Sequence, residues 1–371
     1  MNKSPRLGFG LMRLPEINGA IDMETVCRMA DRFMESGFTY FDTAYVYHGG
    51  KSENVIKDAL VARYPRDSFT VATKLPAWAI HCEADRDRIF DEQLERTDAG
   101  YFDYYLLHSL EDGGNYNTYE KYDCFNWALK KKAEGKIKKF GFSFHGTPEL
   151  LIKVLDLHPE VEFVQIQINY ADWDNAIVHS GRLYEILRER NIPIIVMEPV
   201  KGGSLARVDD DIDAMFKAVR PGKSAASWAL RFVGSLEGIE VILSGMSDEA
   251  QMEDNLDTFN GFEPLSDEER SVIEKVKEKM LSVPLVQCTA CRYCCDGCPS
   301  GIRIPDVFSA LNTLRKFPGD ARPHFFYGNL TAESGKASDC LACGQCESVC
   351  PQHLEIIELL KEASEKFDKR G

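Results

Sequence analysis

Over roughly the first 260 residues the apolar positions follow two alternating periods. Short runs with the alternation of a strand or the continuous apolar character of a buried one stand at residues 6–10, 38–42, 69–74, 103–107, 137–143, 163–167, 193–197 and 240–244. Between them lie stretches with apolar residues three and four apart, such as DMETVCRMADRFMESG, RDRIFDEQLERT and KSAASWALRFV, which predict amphipathic helices. Eight strand–helix units in succession predict an α/β fold of the (β/α)8 barrel type. A doubly wound sheet alternates in the same way. It rarely needs eight units, and no G-x-G-x-x-G follows the first strand. The segment SDEERSVIEKVKEKML opens with Ser266 and Glu269 in capping-box spacing and predicts a last helix.

The pattern then changes. CTACRYCCDGCP at residues 288–299 and CLACGQCESVCP at 340–351 both fit C-x2-C-x2-C-x3-C-P. Nine of the twelve cysteines fall in these runs, which leaves Cys27, Cys82 and Cys124 as expected reduced, inert thiols elsewhere. In two-cluster ferredoxins the fourth thiolate of each run serves the other cluster. By that rule Cys288, Cys291, Cys294 and Cys350 hold one [4Fe-4S] cluster, and Cys340, Cys343, Cys346 and Cys298 hold a second. Zinc is the alternative for a CxxC pair, but it takes four ligands and rarely comes with this third and fourth spacing repeated. Cys295 lies outside the pattern, as a spare thiol or a substitute for Cys294. PDVFSALNTLRKF and HLEIIELLKEASEKF around the second run have helical spacing. The segment resembles the helical ferredoxin modules fused to larger oxidoreductases. The expected division is a barrel over residues 1–282 and a small, mainly helical, ferredoxin-like domain over 283–371.

Composition narrows the partners. The chain has 371 residues, 44% of them apolar and 28% charged, as in ordinary globular proteins. A net charge of −15 leaves no basic excess for a phosphate backbone, so nucleic acid is not expected as a partner. The most apolar run, IPIIVMEPV, is too short to span a bilayer, and the first residues lack a signal-peptide core. A cytoplasmic location without membrane contact is the expectation.

In a (β/α)8 barrel, chemistry sits at the C-terminal ends of the strands. Polar residues break the apolar pattern there: Asp42 ends the second strand, Tyr47 follows in its loop, Lys74 ends the third strand and His108 the fourth. Each has an ordinary structural explanation, as a turn cap, a core phenol, a solvated charge or a satisfied histidine. Together on three successive strand tops they point to a site. A phenol with a reference pKa of about 10 donates a proton poorly at neutral pH unless a cation stabilises its phenolate. Lys74 can supply the cation, Asp42 can hold it in place, and His108 can share the proton or orient a substrate oxygen.

GFGLMRLP, FDTAYVYHGGKSE, the Lys of VATK, the His of DYYLLHS and the GFS ending the fifth strand give residues 1 to about 280 a resemblance to the aldo-keto reductase family. The resemblance implies a catalytic tetrad of Asp42, Tyr47, Lys74 and His108 and carbonyl reduction by hydride from NADPH or NADH. It implies cofactor contacts at Gly10, Met12, Asp42, Ser143, Gln165, Met197, Pro199, Lys201, Gly203, Gly245, Ser247, Gln251 and Asn255. The residue after Ser143 is Phe144 where the family has Asn, and Gln251 stands where it commonly has a basic residue. The choice between NADPH and NADH is therefore open. Tyr45, Trp78 and Trp173 are the expected substrate contacts, for a small carbonyl or alcohol. Three readings remain: a reductase with accessory clusters, a reductase exchanging electrons with a redox partner protein, and an electron carrier or redox sensor whose barrel is mainly a scaffold. The intact tetrad argues against the last, and hydride is split into single electrons only with a flavin or a similar converter, for which no motif is seen.

Overall fold

A computed structural model of the chain describes residues 6–111, 114–175, 178–318, 320 and 322–368. Eight parallel strands form one closed barrel: β1 (Arg6–Gly10), β2 (Tyr40–Asp42), β3 (Thr70–Pro76), β4 (Phe102–Leu110), β5 (Ile137–Phe144), β6 (Phe163–Gln167), β7 (Ile194–Met197) and β8 (Ile239–Ser244). They pair in chain order, and β1 closes the ring by pairing with both β8 and β2. All eight expected strands are present, with ends shifted by three residues or fewer, as terminal hydrogen bonds rather than side-chain period fix those ends.

Alternation along the strands divides the core in two. Tyr40, Ala72, Tyr104, Leu106, Phe163, Ile195, Val241 and Leu243 fill the barrel interior. The intervening residues, such as Phe41, Val71, Val164 and Val196, pack outward against the helices. Two glycines make room inside. A Cβ at Gly8 would lie 2.7 Å from Leu243 Cδ2, and one at Gly141 would run into the Phe163 carbonyl and ring.

The helices follow from the same sequence logic. Met23–Glu35 begins where the Asp22 carboxylate accepts from Thr25 N, and it buries Val26, Met29, Ala30 and Phe33 along one stripe. Pro148–Leu157 is capped by Thr147 with Pro148 in its first turn, and Ala225–Gly234 by Ser224. Ser266 and Glu269 form the expected reciprocal cap before Asp267–Leu281.

The chain divides into two compact units, one mainly residues 1–201 and 213–271, the other mainly 272–371 with short stretches from 202–212. The second unit is helical, with Ile304–Lys316, Arg322–Ala332 and Ile356–Phe367 as its longer helices after residue 282. Its core holds Val307, Phe308, Leu311, Tyr327, Ile356 and Leu360. Among the described residues no helix is long and apolar enough to cross a membrane.

Candidate active site and cluster-binding loops

Register sets the barrel rim. Gly10 pairs with Asp42, Pro76 with His108, Ser143 with Gln165 and Gln167 with Met197. The C-terminal ends of the strands thus bring Asp42, Lys74 and His108 to neighbouring positions, and Tyr47 joins them from the turn that follows β2.

Lys74 is the centre of this group. Its side chain is 1% exposed, and its Nζ donates to Asp42 Oδ1 at 2.6 Å and to the Thr43 carbonyl at 2.7 Å. The ammonium lies 5.0 Å from the Tyr47 ring centroid. Burial alone would lower the Lys74 pKa, but Asp42 and Tyr47 outweigh it and hold the group charged, above its ordinary value. Burial raises Asp42 against the pull of Lys74. Tyr47 departs from the simple expectation. Lys74 does pull its pKa down, yet burial is the larger effect, so the resting phenol lies above its ordinary value and stays protonated.

His108 stands edge-on to Tyr47, with ring centroids 6.0 Å apart, and 5.2 Å from the Trp78 ring. Burial and the Lys74 charge push its pKa well below the ordinary range, so the imidazole is neutral. Its Nδ1 has no hydrogen-bond partner, and neither does Asp42 Oδ2 or Gln165 Oε1. Buried polar atoms without partners, three of which belong to these strand-top residues, are what a site awaiting a polar ligand presents.

Behind Lys74 lies a network that sequence reading missed. Glu53 is fully buried; it accepts from Thr73 Oγ1 and Gln93 Nε2 at 2.7 Å each and pairs with Arg96 at 3.2 Å. Gln93 Nε2 also donates to the Lys74 carbonyl, and Tyr105 donates to Gln93 Oε1. Burial raises the Glu53 pKa. Glu53 sits within FDTAYVYHGGKSE, and the signal was an acidic residue flanked by positions that had to be core.

The expected cofactor contacts fare differently from one another. Gln165 is buried on the interior face beside Ser143, whose hydroxyl accepts from Ser109 N at 2.7 Å. Gly10, Met12, Met197, Pro199 and Gly245 lie at the strand tops, with Met12 exposed and Pro199 buried. Gly203 has φ 96°, a backbone suited to glycine. Lys201 is not on the open rim: it is buried, and its Nζ bonds both carboxylate oxygens of buried Asp172, at 2.5 and 2.7 Å. A lysine enclosed by its own carboxylate is not presented to a phosphate. Asp172 also accepts from Gln167 and Asn169, which closes the pair off.

The helix after β8 spans Glu249–Asn260. Its cap is Asp248, whose carboxylate accepts from Gln251 N at 2.8 Å, while the Gln251 side chain bonds Asp248 and Ser247 N. The acidic cap already occupies one of the first-turn amides that a phosphate would use. Asn255 is buried and donates to Ser244 Oγ, because the 3.6-residue period places it on one face with Met252, Leu256 and Phe259.

Of the three expected substrate contacts, Trp78 is 48% exposed beside His108. The other two point elsewhere. Tyr45 donates to Glu92 and stacks under Arg96, and Trp173 packs against Tyr184 and Phe232. Both sit in loops whose neighbouring helices offered a charged or an aromatic partner.

In the second unit the two cysteine runs share one backbone trace. Ala290 and Ala342 have φ 55° and 52°, Arg292 and Gly344 have φ 66° and 76°, and the short helices Tyr293–Asp296 and Gln345–Ser348 follow, burying Cys294 and Cys346. Cys288, Cys291, Cys294 and Cys350 line a single cavity walled by Ile304, Pro305, Phe308 and Ile356. Among the described residues no three His, Cys, Asp or Glu side chains converge as ligands of one ion do. Four thiols spread around an apolar cavity instead fit a cubane, in which each thiolate takes its own iron. Cys298, Cys340 and Cys346 pack in the same core, and Cys295 lies beside Cys294.

Comparison with known proteins agrees with this fold. Residues 287–355 match the 4Fe-4S dicluster domain. L-Galactose dehydrogenase of Arabidopsis thaliana is 24% identical over 292 residues, 73% of this chain and 89% of that protein. The uncharacterized oxidoreductase YqkF of Bacillus subtilis is 23% identical over 68% of this chain and 87% of its own. The crystal structure of an aldo-keto reductase from Klebsiella pneumoniae in complex with NADPH superposes with a TM-score of 0.58 at 21% identity, covering 75% of this chain and 95% of that one. Residues 6–278 match the model of the Aldo/keto reductase family, and the chain belongs to that family.

Proposed function

We propose that the barrel interconverts a carbonyl and an alcohol with a nicotinamide cofactor, using Asp42, Tyr47, Lys74 and His108. The observation that carries this reading is the burial of the Lys74 ammonium among Asp42, the Thr43 carbonyl and Tyr47. When bound, the cofactor supplies or accepts hydride. Tyr47 gives its proton to the substrate oxygen, and the adjacent Lys74 charge stabilises the phenolate that results. Asp42 fixes the ammonium. Neutral His108 orients the substrate oxygen, with Trp78 as an apolar wall beside it. Ser143 and the unpartnered Gln165 Oε1 suit the nicotinamide carboxamide.

The acidic cap at Asp248 and the uncharged Gln251 favour NADH over NADPH on electrostatic grounds, while the Klebsiella relative carries NADPH. The second unit, from about residue 283, holds two [4Fe-4S] clusters in the crossed ligand pattern, and they serve as accessory or electron-relay centres for a redox partner protein. The lining of one cavity by three thiols of the first run and Cys350 of the second supports the crossing. The test is anaerobic purification followed by turnover with NADH and NADPH against a panel of aldehydes and ketones, recording cluster absorbance throughout. Cofactor oxidation dependent on a carbonyl supports the reading; no oxidation with any member of the panel overturns it.

A further inference from the structure

We infer that His48 is a positioning residue for the proton donor: its imidazole ties the turn that carries Tyr47 to the segment following β1 and so fixes where the phenol stands. The inference deepens the reading of Tyr47 as donor and rests on it.

Tyr47 sits in a turn, outside the register that aligns the strand tops. Within that turn its amide donates to the Ala44 carbonyl at 3.1 Å. The residues that follow, His48, Gly49 and Gly50, all have left-handed backbones, with φ 50°, 63° and 88°. Two of the three are glycines, so the turn has little stiffness of its own. A catalytic group on such a stretch needs outside support to hold its geometry.

The support comes from residues 11–16. Leu11 N donates to the Asp42 carbonyl at 2.8 Å, and Ser52 Oγ donates to the Leu11 carbonyl at 2.8 Å. Further along, Leu14 N donates to His48 Nε2 at 3.1 Å. One segment thus bridges Asp42, His48 and Ser52, and Tyr47 lies in sequence between the first of these ties and the other two. The bond from Leu14 also settles the tautomer: Nε2 is the acceptor, so Nδ1 carries the proton and donates to Glu16 Oε1 at 2.9 Å. Glu16 pairs with Ile21 in a two-stranded hairpin, which anchors the far end. The imidazole is enclosed, its side chain 10% exposed. A left-handed backbone at a non-glycine residue costs energy and persists where its surroundings impose it. At His48 two side-chain hydrogen bonds do so.

His48→Asn isolates the tie. Asparagine tolerates the left-handed backbone and its amide can still serve Glu16, but it stops short of Leu14, whereas glutamine reaches as far as Nε2. His48→Asn should lower kcat by about tenfold, a cost within the range of a small misplacement of a catalytic group, while KM and cofactor affinity stay within about threefold. His48→Gln should restore kcat. In a Tyr47→Phe background the same His48→Asn change should alter kcat by less than about twofold, because no hydroxyl is left to position. Amide hydrogen exchange of the full-length holoprotein should quicken over residues 11–14 in His48→Asn and return to the parental rate in His48→Gln. Equal losses of kcat in both backgrounds are what a general structural role gives, and they overturn the inference. So does an unchanged kcat or unchanged exchange in His48→Asn, or a His48→Gln variant as slow as His48→Asn. If the parent reduces no carbonyl, or Tyr47→Phe keeps the parental kcat, the reading of Tyr47 as donor falls and this one with it; if that reading stands, any of the other results removes the inference alone.

Discussion

Replacing Tyr47 by Phe removes one hydroxyl from the centre of the proposed mechanism and changes little else. The ammonium of Lys74 keeps Asp42 at 2.6 Å and the Thr43 carbonyl at 2.7 Å, so it remains paired and buried. The aromatic ring, 5.0 Å from that ammonium, also remains. The stability cost should therefore not exceed that of one hydrogen bond, about 1 kcal/mol. The catalytic cost is larger. A positioned proton donor contributes about 10²–10⁴ in rate, or roughly 3–5 kcal/mol of barrier. His108, which stands edge-on to Tyr47, is held neutral by burial and by the Lys74 charge, and so cannot take over as an imidazolium near neutral pH.

The assay is steady-state oxidation of reduced cofactor with a carbonyl that the parent enzyme accepts, alongside direct cofactor binding and thermal melting. The expected result is kcat lower by about a hundredfold or more, with cofactor affinity within a few-fold of the parent. Retention of kcat within threefold would refute Tyr47 as the donor. A parallel collapse of cofactor binding would refute the claim that the hydroxyl acts only on the substrate oxygen.

Three further outcomes are expected. Lys201→Met leaves the buried Asp172 carboxylate without its ammonium and should destabilise the barrel by about 3–5 kcal/mol, largely restored in Asp172→Asn/Lys201→Met; normal melting with selective loss of cofactor affinity would instead make Lys201 a phosphate ligand. The unfolded chain protonates His108 below about pH 6.5 whereas the folded one resists, so folding loses stability as pH falls below that value. His108→Gln should flatten this acid-side slope, and an unchanged slope in pH-dependent melting rules the assignment out. Cys350→Ala should lose the cluster whose other thiolates are Cys288, Cys291 and Cys294, taking anaerobic iron content from about eight atoms to about four per chain, and an unchanged iron count defeats the crossed ligation.

Period and spacing carried the architecture because both are local. Eight strands could be read from alternation alone, and the cysteine runs from their spacing, since a loop that wraps a cluster has to place its thiolates within a few residues of one another. Charges at the rim were harder. Lys74 and Lys201 each stand at or just after the end of a strand and look alike in sequence, yet both are buried against an aspartate, Asp42 or Asp172. Asp42 was legible as a partner because it ends the adjacent strand. Asp172 was not, because it lies in an irregular loop 29 residues before Lys201. The same limit explains Trp173 and Tyr45, whose partners Phe232, Glu92 and Arg96 come from helices remote in sequence. It also explains Glu53, whose carboxylate is placed by Thr73 and Gln93.

The two units ask for different electron counts. Tyr47, Lys74, Asp42 and His108 are acids and bases, suited to moving a proton while an electron pair arrives at or leaves carbon. Thiolate-held clusters change by one electron. Direct exchange between the two would need a centre that takes a pair and releases singles, which is flavin chemistry. The tetrad asks for no such centre, because every group the proton step uses is supplied by β2, β3, β4 and the turn after β2. The cluster loops are equally self-contained: their thiols, the apolar wall of Ile304, Pro305, Phe308 and Ile356, and the matching turns at Ala290 and Ala342 all come from residues 288–356. Each chemistry is thus complete within its own stretch of chain, which supports the proposed arrangement of a barrel that turns over a carbonyl by itself and clusters that serve a redox partner protein.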